Sequence, residues 1–274
     1  MALFHRTFLL IVLAFAVACA PSPESPPAAV GADAAETPPP APVDDVAVEP
    51  AAGAAAGTVI FESAAGVVAS GVEKFDAYVF YLHGRIIEEK GRRPEHPEYG
   101  IYEYDRVLEA LAAPGIAVIS EARAPTDDID AYAAGVVSQI GELFAAGVAP
   151  EAVTVVGFSK GGSITLLTSH QLGHDDVGFV VLAACGPWLD DIPLELRGRM
   201  LSIHEKSDPI GTCRPWVEPS LGSLFFHEVE LEIGGSHGAF YTPHPDWVGQ
   251  TLVWTGAPSV RSQMAVPERV DVDG

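Results

Sequence analysis

The chain has 274 residues, with 37 Asp and Glu against 15 Lys and Arg, for a net charge of -22. That balance excludes nucleic acid as an expected partner, because affinity there comes from Lys and Arg neutralising phosphates. Hydrophobic residues make up 48%, which supports a real core and excludes general disorder, while three cysteines are too few for a disulfide scaffold and fit no zinc spacing.

The first nineteen residues read as an export signal. Arg6 gives the positive start, Phe8 to Ala18 is apolar, and small residues precede Cys19. The run is too short to span a bilayer, which needs about 20 residues. Ala16-Val17-Ala18-Cys19 resembles a bacterial lipobox, with Ala in place of the usual leading Leu. The resemblance implies lipidation of Cys19 and, with Ala20 rather than Asp following, an outer-membrane anchor in the cell envelope. Cleavage after Ala18 or Ala20 to a soluble product is the alternative. Residues 20–56 are dominated by Ala and Pro, with six acids and no Lys or Arg. They have no apolar period and read as an extended tether. A single domain is expected over 57–257, with a loose tail over 258–274.

Within that domain, Thr58 to Ala69 reads as an early strand pair or a loop. Ala77 to Leu82 is a short apolar run ending in His83-Gly84, the pattern of a buried strand. Arg85 to Arg93 and on to Gly100 reads as a solvated loop. Val107, Leu108 and Leu111 have helical spacing and stop near Pro114-Gly115. Ile116 to Ser120 is the next strand. Asp128 to Ala146 is a helix with Val136, Val137, Ile140, Leu143 and Phe144 on one stripe, capped by Asp127 or Asp128. Ala152 to Val156 is a strand, followed by a helix through Gln171. Val177 to Ala183, Met200 to His204 and Phe225 to Ile233 are strands, and Pro245 to Val253 is a closing helix. Strands alternating with helices predict an α/β fold, a mostly parallel central sheet flanked by helices on both faces. Ligand sites in such sheets lie at the carboxyl ends of the strands.

Gly157-Phe158-Ser159-Lys160-Gly161 fits Gly-x-Ser-x-Gly, and so does Gly234-Gly235-Ser236-His237-Gly238. A nucleophile elbow needs a strand before it and a helix after it. Ser159 has both. Ser236 follows a strand but precedes Ala239-Phe240-Tyr241-Thr242-Pro243-His244-Pro245, which cannot open a helix at once, so that match reads as chance. A serine hydroxyl needs a base to take its proton and an acid to orient the base. Among nine histidines, His237 sits in a glycine-rich loop after the last predicted strand. His83 is placed to shape the turn after its strand. His96, His170, His174 and His244 read as solvent-facing, and His204 and His227 as structural. Asp208 follows the strand Met200 to His204 and is the preferred acid, with Asp190, Asp191 and Glu205 as alternatives.

Ser159, Asp208 and His237 run in the order Ser…Asp…His, which resembles the α/β-hydrolase superfamily. Four features carry the resemblance: the His83-Gly84 turn, the elbow, Ser207-Asp208-Pro209, and Gly234-Gly235-Ser236-His237. The short gaps between triad members leave little room for a large lid. That is similar to small, lid-poor esterases and dienelactone-hydrolase-like proteins, with Ser where the latter carry Cys. The resemblance implies an acyl-enzyme on Ser159, proton transfer by His237, and Asp208 steadying the imidazolium. It also implies an oxyanion hole from the backbone N–H groups of Lys160 and Arg85. No cofactor or metal is implied. The expected substrate is a small-molecule ester or related acyl compound. Peptidase, amidase or thioesterase chemistry on the same residues is one alternative, and a tethered binding lipoprotein without turnover is another.

Two features bear on selectivity. Arg85, at the expected mouth of the site, either pairs with a substrate carboxylate or belongs to a loop whose Arg and Glu pair with each other. Phe158 is the foremost candidate to line a substrate pocket, ahead of Trp188, Trp216, Phe240 and Tyr241. Cys185 and Cys213 each follow a predicted strand, and export permits a disulfide between them. Two free thiols are the alternative.

Overall fold

The computed structural model describes residues 59–190, 192–220 and 224–260. The expected signal, Cys19, the tether, Asp191 and the terminal stretch from residue 261 lie outside the described residues. Val260, inside the stretch expected to be loose, is 4% exposed and packs with the core.

The chain enters through a two-residue strand β1 (Ile60–Phe61) and a short helix α1 (Ala64–Ser70). From Val59 to Ala69 the chain is therefore one strand and a helix rather than a strand pair or a loop, and Thr58 lies outside the described residues. Ala64 and Val67, one helical turn apart, are fully buried there. Strand β2 (Ala77–Leu82) is buried at every position. The stretch expected to be a loop then forms helix α2 (Arg85–Lys90), with Ile87 as its buried residue. A small antiparallel pair follows, β3 (Glu95–His96) and β4 (Gly100–Ile101). Helix α3 (Tyr104–Leu111) and strand β5 (Ile116–Ile119) come next.

Helix α4 (Ile129–Ala145) is capped by Asp128, whose Oδ1 accepts from Ala131 N at 2.9 Å. Ala133, Val136, Ile140 and Leu143 form its buried stripe. Strand β6 (Val153–Phe158) leads into α5 (Lys160–Leu172), which is buried along most of its length. The remainder is β7 (Gly178–Leu182), β8 (Gly198–Glu205), the short helix α6 (Arg214–Val217), β9 (Leu224–Leu231) and α7 (Pro245–Thr255).

The main sheet has seven strands in the order β1-β5-β2-β6-β7-β8-β9, and every pair in it is parallel. Side chains alternate between its two faces, as the pleat requires. Along β2, Tyr78, Phe80 and Leu82 join a core covered by α1, α4 and α5. Ala77, Val79 and Tyr81 join a second core covered by α3 and α7. With both faces covered, β2, β6 and β7 are buried at every position rather than alternating, with Thr154 of β6 the polar exception among otherwise apolar and aromatic residues. Parallel strands bring the carboxyl ends of β2, β6, β8 and β9 to one edge, and the polar residues that follow them converge there. Among the described residues, no helix is long and apolar enough to cross a membrane.

Candidate active site

Ser159 sits between the last residue of β6 and the first of α5, with φ 54° and ψ -120°. A non-glycine residue in that region stores roughly 1–3 kcal/mol of strain and persists only when its surroundings enforce it. The enforcement is visible. Ser159 N donates to Leu182 O at 2.9 Å, and Ser159 O accepts from Gly162 N at 2.8 Å. The flanking glycines are steric necessities: a methyl at Gly161 would overlap the Leu82 carbonyl, and one at Gly157 would overlap the Gly161 carbonyl. The turn therefore closes tightly and lifts the serine hydroxyl off the sheet.

The histidine comes from the loop after β9. His237 Nε2 lies 3.0 Å from Ser159 Oγ, and His237 Nδ1 lies 2.8 Å from Asp208 Oδ2. An ionised carboxylate only accepts, so Nδ1 carries the proton and Nε2 is free to accept from the serine. The Asp208 side chain is fully buried and that of His237 is 17% exposed. Asp208 is held by its own turn, its N–H donating to Glu205 O and its Oδ1 accepting from Ile210 N at 3.0 Å.

The other acids have different tasks. Asp190 accepts from Trp216 Nε1 at 2.8 Å. Glu205 is buried and accepts from Ser207 N at 2.7 Å, from the Ser207 hydroxyl, and from Gly234 N at 3.1 Å. It thus ties the turn of Asp208 to the loop of His237. Burial would raise its pKa, but the bonds from Ser207 and Gly234 outweigh that and lower it. Ser236 does open a one-turn 3₁₀ helix, Ser236–Phe240, contrary to the reading that no helix could start there. Its hydroxyl donates to Ser207 O at 3.2 Å, so it braces the loop.

Arg85 and Lys160 are the first residues of α2 and α5, positions whose N–H groups have no partner inside the helix. A methyl at Gly84 would lie 3.6 Å from Ser159 Cβ, so the His83-Gly84-Arg85 turn runs beside the nucleophile. His83 shapes that turn. Its Nδ1 donates to Gly84 O at 2.9 Å and its Nε2 accepts from Arg123 N at 2.8 Å. Burial, then the nearby Arg123 charge, lower its pKa to about 4, so it stays neutral.

Two cavities meet at Ser159. One, of about 440 Å³, is lined by Ile129, Trp188, Ile192 and Ile210, with Arg85 and Lys160 at its edge. The other, of about 370 Å³, is lined by Tyr99, Phe158, Tyr241 and His237. Arg85 is exposed and borders both. Phe158 is 1% exposed and packs under the His237 ring, centroids 4.9 Å apart, so it supports the base more than it meets solvent. Trp216 lines a different groove, and Phe240 is buried against Phe158.

Sequence reasoning missed Tyr99 and misplaced His96. Tyr99 packs edge-on to His237 at 6.1 Å, and His96 stacks on Tyr99 at 4.5 Å rather than facing solvent alone. The His96 ring accepts from the Glu98 and Tyr99 N–H groups, a local turn with no periodic signal. Cys185 and Cys213 are joined, with Cα atoms 5.0 Å apart. Among the described residues no cluster of His, Cys, Asp and Glu could hold a metal ion.

No family model and no curated protein sequence matches the chain. Among solved structures, a carboxylesterase from Mesorhizobium loti aligns at 19% identity over 67% of this chain and 90% of that one, with a TM-score of 0.46. An α/β serine hydrolase without a lid from Xanthomonas campestris aligns at 15% over 69% and 84%, TM-score 0.41. SOBER1 of Arabidopsis thaliana aligns at 14% over 66% and 97%, TM-score 0.42. The chain's own features are independent of these likenesses: a parallel sheet with β2 and β5 exchanged in order, a strained serine between strand and helix, and the chain order Ser…Asp…His. The protein has the α/β-hydrolase fold.

Proposed function

We propose that the protein is a serine hydrolase that cleaves a small carboxylic ester through an acyl-enzyme on Ser159. The observation that carries the reading is the unbroken relay from Ser159 Oγ to His237 Nε2 and from His237 Nδ1 to Asp208 Oδ2. His237 takes the serine proton as Oγ attacks the carbonyl carbon, and Asp208 stabilises the imidazolium that forms. The carbonyl oxygen gains the electron pair and points toward the N–H groups of Lys160 and Arg85. When the tetrahedral species collapses, the ester C–O bond breaks and His237 returns the proton to the leaving alcohol. Water then repeats the sequence and frees the acid. The wider, more apolar cavity beside Trp188 suits the acyl group, and the aromatic one beside Tyr99 suits the alcohol.

Labelling with a fluorophosphonate tests the chemistry. Wild type should label and Ser159→Ala should not; equal labelling, or none in wild type, sinks the reading. A panel of esters, thioesters and amides of one acyl group should show esters turned over fastest. The Cys185–Cys213 bond supports export, because disulfides persist in oxidising compartments. Loss of detergent-phase partitioning in Cys19→Ala is the expected sign of a lipid anchor.

A further inference from the structure

A buried ionic cluster lies beside the site and is used by none of the steps above. Glu88, on α2, has a side chain only 2% exposed. Its Oε1 accepts from Arg123 Nε at 2.6 Å, and its Oε2 accepts from Lys160 Nζ at 2.6 Å. Arg123, equally buried, also donates to His83 O at 2.9 Å. Lys160 Nζ further donates to Thr126 O. The bonds from both cations outweigh the effect of burial and lower the Glu88 pKa, so it is ionised at neutral pH.

What these partners share is their place in the chain. Glu88 lies one helical turn after Arg85, on the same short helix. Lys160 follows the nucleophile directly. Each residue thus belongs to one half of the expected oxyanion hole, and the carboxylate connects the halves. An oxyanion hole works only when both donors are fixed before charge develops. A main-chain donor has no side chain of its own to hold it, so something else must set the spacing. A buried carboxylate is kept ionised only when it is well bonded. Both Glu88 oxygens are bonded, one to Lys160 beside the nucleophile and one to Arg123, which in turn holds the His83 carbonyl, although Arg123 Nη1 is buried without a partner.

We propose that Glu88 is a positioning residue that sets the separation of the two oxyanion-hole donors by gripping Lys160 and, through Arg123, the His83-Gly84-Arg85 turn. The proposal rests on the hydrolase reading for its kinetic consequence, but not for its mechanical one.

The test is a double-mutant cycle with Glu88→Gln and Lys160→Met, read in steady-state ester hydrolysis and in amide hydrogen exchange. Misplacing a reacting group by about 1 Å can cost on the order of 10²-fold, so each single variant should lose about 10- to 100-fold in kcat with KM nearly unchanged. The double variant should lose little more than the worse single, because both cut one link. Lys160→Arg, which keeps the pairing, should recover most of the rate, which a purely structural role for the site would not require. A boronic acid that mimics the tetrahedral species should weaken in step with kcat. In Glu88→Gln, amides of residues 83–88 and 159–162 should exchange faster together, with β7 unchanged. Multiplying losses, or a KM effect without a kcat effect, overturns the proposal. So does faster exchange confined to residues 83–88. If wild type neither labels nor hydrolyses, the hydrolase reading fails, and the exchange coupling alone then decides the clamp.

Discussion

Removing the Cys185–Cys213 bond should cost a large part of the protein's stability. The two cysteines are 28 residues apart and are 0% and 2% exposed. Cross-linking removes loop entropy from the unfolded chain, and for a loop of that length the chain-entropy relation gives about 3.6 kcal/mol at 25 °C. A domain of 150–250 residues shifts by roughly 2–4 °C per kcal/mol, so melting should fall by about 7–14 °C. The assay is thermal denaturation of wild type with and without a thiol reductant, beside Cys185→Ala/Cys213→Ala, with thiol titration to prove reduction. The bond also has a local consequence. It joins the segment bearing Trp188 to the segment after Asp208 that bears Ile210, and both line the larger cavity. Reduction should therefore raise KM for bulky acyl groups more than for acetyl. A reduced protein and an alanine variant that both melt within about 2 °C of the oxidised wild type would refute the reasoning.

Two further outcomes follow from buried titratable groups. Glu205→Gln should lower kcat about 10-fold or more and leave KM nearly unchanged, since the carboxylate joins the Asp208 turn to Gly234 of the His237 loop; steady-state kinetics on a folded variant would show it. His83 titrates near 4 when folded and near 6.5 when unfolded. Above pH 6.5 neither state takes the proton and stability is full. Between pH 6.5 and 4 only the unfolded state takes it, so stability falls as pH falls. The loss from pH 7 to pH 5 is about 2 kcal/mol. Denaturant titrations at the two pH values should show that slope in wild type and not in His83→Gln.

The legible parts of this molecule are those with a period. Strands β2, β6 and β7 are buried on both faces, so their sequences are nearly continuous apolar runs, broken only by Thr154 in β6, and bounded by turns. Helix α4 repeats its buried stripe over about three turns and names its cap at Asp128. Ser159, Asp208 and His237 were readable because parallel strands place the residues after them at one edge, so chain order maps onto space. The stretch from Arg85 to Ile101 was not readable. Helix α2 has six residues with a single buried side chain, and β3 and β4 have two residues each, which is too short for any period to emerge. The early segment failed for a related reason: α1 buries only Ala64 and Val67. The bracing roles of Glu88 and of Glu205, the latter weighed only as an alternative triad acid, were not readable because a carboxylate in a sequence reads as solvent-facing, and only tertiary pairing reveals otherwise. Tyr99 reaches His237 from a turn whose geometry is set by the His96 ring.

The engagement of Lys160 with Glu88 has a practical side. The whole chain carries four lysines: Lys74, Lys90, Lys160 and Lys206. The Lys160 side chain is 10% exposed and engaged in its ion pair, while the other three are exposed. Amine-directed coupling to a bead or a dye would therefore meet three side chains and spare the one next to the nucleophile. Of those three, Lys90 borders the cavity beside Ser159. A Lys90→Arg form could thus be fixed to a surface through its amines with the route to the serine left open.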